Sequence, residues 1–321
     1  MSVLSCEKRP RLTTVMYHYV RPLAESAFPR LKALELRDFL SQLDYLQKHY
    51  TILSVEEFSA VLTGCMSLPE RACLLTFDDG YSDHYRHVFP HLVDRGLGGF
   101  FFAPKSSLID RRMLEVNRIQ FTLASHPHPE ALADDVDAMI AAKGLDPAPL
   151  RSQHFGPNRF DGPEVAYVKR LLQNALPARL RSEVTAALFA GHVTADETGF
   201  TEDLYLSAEQ AREMRANGME FGGHGDLHLW HGLSSPEELS HEVSGAVQAL
   251  QAIGAPVAGG FYCYPYGSVT PSVREAVSAA GFRAGFTVEP ALWTSGADPL
   301  GIPRLDTNDL PHRLDAEADR P

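Results

Sequence analysis

Short, almost wholly apolar runs alternate along this chain with longer amphipathic stretches, and each kind of segment has its own boundary residues. The runs Thr13 to His18, Thr51 to Leu53, Ala72 to Phe77, Gly98 to Ala103, Met219 to Gly223, Gly259 to Tyr264 and Arg283 to Val288 read as strands. Several are nearly all apolar, as parallel strands covered on both faces must be. The stretches between them carry helix signals. Ser54 with Glu57, Ser207 with Gln210, and Ser235 with Glu238 behind Pro236 are capping boxes; Gly64 and Gly218 are stops; Thr270-Pro271 opens a helix that ends before Gly281. Strand, helix and strand in repetition predict parallel pairing through right-handed crossovers, hence an α/β architecture closed as a barrel.

Residues 105–201 break the rhythm. Helical patches at Arg112 to Ala124 and Val165 to Leu176 are separated by Pro- and Gly-bearing stretches such as Asp146-Pro-Ala-Pro and Gly156-Pro-Asn. A structureless loop of this length is improbable in a compact domain, so the segment is expected to be a helical insertion, serving as lid, substrate platform or homo-oligomer contact. Residues 1–104 and 202–310 then form one discontinuous barrel domain. The charged tail, residues 311–321, is expected to be disordered.

Charge and cysteine usage narrow the function. A formal net charge of -12 argues against a nucleic-acid surface, so no nucleic-acid partner is expected. No apolar run approaches the ~20 residues of a membrane span, and Met1 to Pro10 lacks a signal-peptide core, which predicts a soluble cytoplasmic protein. The four cysteines contain no C-x-x-C pair and read as free thiols.

Two constellations carry candidate chemistry. In Leu74-Leu-Thr-Phe-Asp78-Asp79-Gly80-Tyr81 an apolar strand ends in adjacent carboxylates, which repel each other and call for a positive charge. An ordinary Asp-Gly turn is the bland alternative. In Phe221-Gly-Gly-His224-Gly225-Asp226-Leu227-His228 two imidazoles four residues apart follow another strand, with His231 a competing ligand. With fourteen histidines in the chain that pair alone says little. Together, two histidines and one carboxylate at parallel-strand ends make a three-ligand site with positions open for water and substrate. Such a site polarises a carbonyl and activates water while the second Asp takes the proton. Zinc suits these donors; Co2+, Ni2+ and Mn2+ accept the same set. Phe100-Phe101-Phe102 reads as core, whereas Tyr81, Trp230 and Trp293 fall in loops where a sugar ring could stack. The histidines of the insertion, including His126 and His192, have no partner spacing and read as surface residues.

Thr76-Phe-Asp-Asp-Gly80, the His224/His228 spacing and Phe261-Tyr-Cys-Tyr-Pro265-Tyr266-Gly267 resemble the three ordered motifs of the NodB-homology polysaccharide deacetylases, carbohydrate esterase family four. The resemblance covers most of residues 12–104 and 204–308. It implies a distorted (β/α)7 barrel, here interrupted by the helical insertion, and metal-dependent hydrolytic removal of an N- or O-acetyl group from a sugar. Carried over by position, Asp78 is the catalytic base, Asp79, His224 and His228 the metal ligands, and Tyr266 the donor of a backbone N–H to the oxyanion. Gly225 stands where relatives have Ser or Thr, and the arginine often found before Pro-Tyr is missing; Arg304 is the candidate to orient the base in its place. The general acid is assigned to His18, since Met16-Tyr-His-Tyr-Val20 resembles the first strand of a permuted branch; His312, in Leu310-Pro-His312, is the competing choice. The expected partner is an N-acetylated sugar or polysaccharide precursor. A deformylase or other amidohydrolase would share the site, and a non-catalytic carbohydrate-binding relative would keep only the fold.

Overall fold

The computed structural model of the chain describes residues 10–311, so the tail expected to be disordered, apart from its first residue, lies outside the described residues, as do His312 and Cys6. Nine strands form the principal sheet: β1 (Arg11–Tyr17), β2 (Thr51–Ile52), β3 (Arg71–Asp78), β4 (Phe100–Ala103), β5 (Glu220–Gly223), β6 (Phe261–Cys263), β7 (Ala284–Phe286), β8 (Trp293–Thr294) and β9 (Leu305–Asp306). Their order is β8-β1-β3-β4-β5-β6-β7, with β2 alongside β3 and β9 alongside β1. All pairings are parallel except β1 with β8. The strands form near the expected positions: β1 starts two residues earlier and β3 is one residue longer at each end, whereas the others are shorter by up to three residues in all.

The sheet curls until its edges meet. Ile302 bridges to Phe286 of β7, and three residues later Leu305 and Asp306 pair with Val15 and Met16 of β1. Segment 302–306 thus closes a distorted α/β barrel. Alternation along each strand divides the apolar residues between two cores. Leu12, Leu74, Phe100, Phe102, Phe261, Cys263 and Phe286 fill the barrel interior, while Tyr17, Leu75, Phe77, Phe101, Phe221 and Tyr262 pack outward against the helices. On β3 this parity sends Thr76 and Asp78 inward, alongside Leu74. The three capping boxes expected from the sequence are all formed, with both reciprocal hydrogen bonds.

Two compact units make up the chain. One comprises residues up to Arg21, Leu34–Asp110 and Leu204 onward; the other comprises Pro22–Ala33 with Arg111–Asp203. The helical unit therefore has two segments rather than residues 105–201 alone. Phe28 explains this, packing edge-on against Phe121 and Phe200 at 4.9 and 5.7 Å, while Arg30 donates to the carbonyls of Ala124 and Ser125. The unit has its own core, built from residues such as Ile119, Leu132, Val136, Tyr167, Leu172 and Leu188. Among the described residues, no helix is long and apolar enough to cross a membrane.

Candidate metal centre

The C-terminal ends of β3, β5 and β6 meet at one rim of the barrel unit, where Asp78 lies opposite Phe102, Ala103 opposite Gly223 and Gly223 opposite Tyr262. The chain leaves β3 through Asp79 at φ 72° and Gly80 at φ 67°. A side chain at Gly80 would lie 2.6 Å from the Ala103 Cβ, so only glycine permits this exit. Leaving β5, the chain folds back through Gly225 and returns His228 at φ 60°. Among the described residues, four non-glycine positions have positive φ, and Asp79, His228 and Tyr266 are three of them. Left-handed backbone at non-glycine residues costs energy and persists only where surrounding contacts impose it.

These turns bring Asp79, His224 and His228 together. The Asp79 Oδ1 lies 3.3 Å from His224 Nε2 and 3.2 Å from His228 Nε2, and all three residues are buried. His224 Nδ1 is 2.8 Å from the Cys263 carbonyl, to which it donates, so Nε2 is the ring nitrogen turned toward Asp79 and the one that would ligate a metal. Neither Asp79 Oδ1 nor His224 Nε2 has a hydrogen-bond partner. Asp79 Oδ1 and His224 Nε2 are thus buried polar atoms left unsatisfied at one point, and a cation there would satisfy both. The donor set of two imidazoles and one carboxylate therefore fits a divalent metal.

Asp78 is held differently. Arg304 donates from Nη1 to Oδ1 at 2.8 Å and from Nη2 to Oδ2 at 2.7 Å, a bidentate pair in which both residues are buried. Burial alone would raise the Asp78 pKa, but the guanidinium outweighs it and brings the carboxyl down to about 2. Arg304 is itself fixed by donating to the Thr287 carbonyl, to Thr76 Oγ1 and to Cys263 Sγ. It lies on the segment that closes the barrel, so closure and aiming of Asp78 depend on the same stretch of chain.

His18 follows β1, and its Nε2 is 3.9 Å from Asp78 Oδ2, with the side chain 41% exposed. Its carbonyl accepts a hydrogen bond from Nε2 of the buried His84. Tyr266 stands at φ 56° in the Pro265–Gly267 turn. Its ring lies edge-on to His228 at 4.5 Å and stacks on Trp230 at 4.3 Å, so Trp230 does stand at the site.

Several readings of individual residues change. Tyr81 is fully buried between Tyr19 and Tyr205, and its hydroxyl donates to Asp79 Oδ2 at 2.6 Å; it supports a ligand and offers no stacking surface. Trp293 is buried against Phe58. His231 turns away from the cluster to Tyr262 Oη at 2.6 Å, and burial pushes its pKa down to about 3. In the helical unit His126, Asp135 and His192 converge, unforeseen from spacing. His126 Nδ1 accepts the His128 N–H there, which leaves the proton of the neutral ring on Nε2, facing Asp135 at 3.7 Å, and no metal site is built. Glu242, on the helix Pro236–Ala252, carried no motif, yet its carboxylate is fully buried beneath the His224–His228 loop.

The sequence profile of the family described as polysaccharide deacetylase matches residues 161–285, which take in His224, His228 and the Pro265–Gly267 turn and begin after Asp78 and Asp79. A Bacillus subtilis (strain 168) protein, YxkH, provisionally named a polysaccharide deacetylase, is 27% identical over 130 residues, covering 38% of this chain and 44% of its own. The match thus spans less than half the length of that curated relative. Among solved structures, a de-N-acetylase from Aggregatibacter actinomycetemcomitans superposes with TM-score 0.56 at 18% identity, covering 92% of this chain and 95% of that one. Streptococcus pyogenes deacetylase PplD, in complex with acetate, gives 0.55 at 14% over 93% and 92%. IcaB from Ammonifex degensii gives 0.54 at 21% over 92% and 93%. The fold is that of these three structures.

Proposed function

We propose that this chain, a relative of the polysaccharide deacetylases, is a metal-dependent hydrolase that removes the acetyl group from an acetamido sugar of a polysaccharide or its precursor. The observation that carries the reading is the convergence of Asp79 Oδ1, His224 Nε2 and His228 Nε2 beside an Asp78 clamped by Arg304. The names of the similar proteins support an acetyl group on a sugar as the target.

Asp79, His224 and His228 would hold the cation, and zinc suits them best. When bound, a divalent cation supplies Lewis acidity to the scissile carbonyl and to the attacking water. Asp78 accepts the proton that this water gives up; Arg304 keeps it ionised and aimed, ready to receive. The backbone N–H of Tyr266 donates to the oxyanion as charge develops on it. His18, whose Nε2 is 3.9 Å from Asp78 Oδ2, gives a proton to the departing nitrogen, so one acetamide and one water become acetate and a free amine. Between turnovers Asp78 gives up the proton it took from water and the partly exposed His18 ring takes one up, which restores both groups.

Acetate release from N-acetylated amino sugars, measured with and without chelator, tests this. Metal-dependent release is the expected result. Chelator-insensitive release would remove the metal from the mechanism, and a metal-loaded protein inert toward every acetamido sugar in the panel would overturn the assigned substrate class.

A further inference from the structure

The loop from His224 to His228 belongs to neither helix nor sheet, so its backbone donors need partners elsewhere. One side chain supplies them. Glu242 accepts the Leu227 N–H on Oε1 at 2.9 Å and the Asp226 and Leu229 N–H groups on Oε2 at 3.2 Å each. The loop's carbonyls are held from the other side, where the Lys105 and Ser106 N–H groups donate to the Gly225 and Asp226 carbonyls. His228 is thus bracketed by two residues bonded to Glu242, and its left-handed backbone is fixed by them.

Gly225 belongs to the same device. A Cβ there would lie 2.5 Å from Glu242 Oε2. The backbone can approach the carboxylate this closely only because residue 225 has no side chain, and its φ of 78° points the same way. The support that a Ser or Thr at 225 would have given the loop comes instead from the helix Pro236–Ala252.

We infer that Glu242 is a positioning residue for metal binding: it fixes the loop so that His224 and His228 present their nitrogens to one point, and thereby sets the affinity for the cation. The inference rests on the metal-site reading above and names the group that maintains it.

Glu242→Gln is the test, because it preserves size while replacing one acceptor oxygen with a donor that faces backbone N–H groups. Zinc affinity, read by competition with a chromophoric chelator, is expected to weaken roughly 10- to 100-fold, the usual effect of losing an outer support of a metal ligand. Amide exchange at Asp226, Leu227 and Leu229 in the metal-free protein is expected to accelerate, and turnover to recover when zinc is raised to saturation. Unchanged zinc affinity with only a lower melting temperature would overturn the inference and leave Glu242 a folding residue. If Glu242→Gln does not fold, Glu242→Asp withdraws the acceptors by one methylene while keeping the charge, and the same shift in affinity is required of it. Rapid exchange of the three amides in the unaltered metal-free protein would refute the bracing directly. Absence of zinc binding in the unaltered protein would remove the metal-site reading as well, an outcome distinct from normal binding in the variant.

Discussion

Replacing Arg304 with Met would leave Asp78 buried without its counter-charge. Both residues are almost inaccessible, with relative exposures of 1% and 2%, so water cannot substitute for the guanidinium. Two effects add. The guanidinium holds the Asp78 carboxyl at about 2 against an ordinary value of 3.8, a difference worth roughly 2–3 kcal/mol at about 1.4 kcal/mol per pKa unit. The Thr287 carbonyl, Thr76 Oγ1 and Cys263 Sγ also lose a donor. Breaking a buried pair typically costs about 3–5 kcal/mol, which for a chain of this size lowers the melting temperature by something on the order of 5–15 °C. The pH dependence has a definite sign. A carboxyl whose folded pKa is depressed contributes stability that is complete above about pH 4 and lost as pH falls toward 2. The gap in stability between parent and Arg304→Met should therefore be widest near neutral pH and narrow across that acid window. In the variant, only His18 and His224 still oppose the effect of burial, so the Asp78 pKa rises and the acid limb of the rate profile for acetate release should move upward. The assays are thermal unfolding of the metal-free proteins from pH 2 to 7 and pH profiles of kcat/KM. Melting within a degree or two of the parent, with an unmoved acid limb, would refute the assignment of Arg304 as the residue that holds the base.

Asp78→Asn should lower acetate release by roughly 10²–10⁴-fold while retaining metal; full activity, or loss of bound metal, would show that Asp78 is not the base assigned here. Tyr81→Phe removes the 2.6 Å donor to Asp79 Oδ2 and should weaken metal affinity by about tenfold or more, read by chelator competition, with unchanged affinity the contrary result. His18→Ala should depress turnover of an acetamide strongly but spare an aryl acetate, whose leaving group needs no proton; equal loss on both substrates would remove His18 as general acid.

The sequence was sufficient wherever the determinant was local. Capping boxes form from residues three apart, and strand parity turned Thr76 and Asp78 inward. The adjacent aspartates and the His224/His228 pair were legible because strand ends of a parallel barrel fall on one rim. What depended on distant parts of the chain was not legible. Arg304 was a candidate to orient the base only through the family resemblance; local pattern gave no signal, since it reaches Asp78 across 226 residues from a closing segment whose strand is only two residues long. Tyr81 sat beside a motif, yet its role was decided by Tyr19 and Tyr205 closing over its ring and leaving Asp79 as the hydroxyl's partner. Glu242 looked like one polar position on an amphipathic helix until the metal loop was seen folded over it. The helical unit's second segment, Pro22–Ala33, joined through Phe28, a lone aromatic with no pattern around it. The physical reason is common to all four. Local pattern determines which atoms can act, because capping and alternation involve near neighbours, whereas their counter-charges and braces are set by closure and packing, which depend on pairings between remote segments.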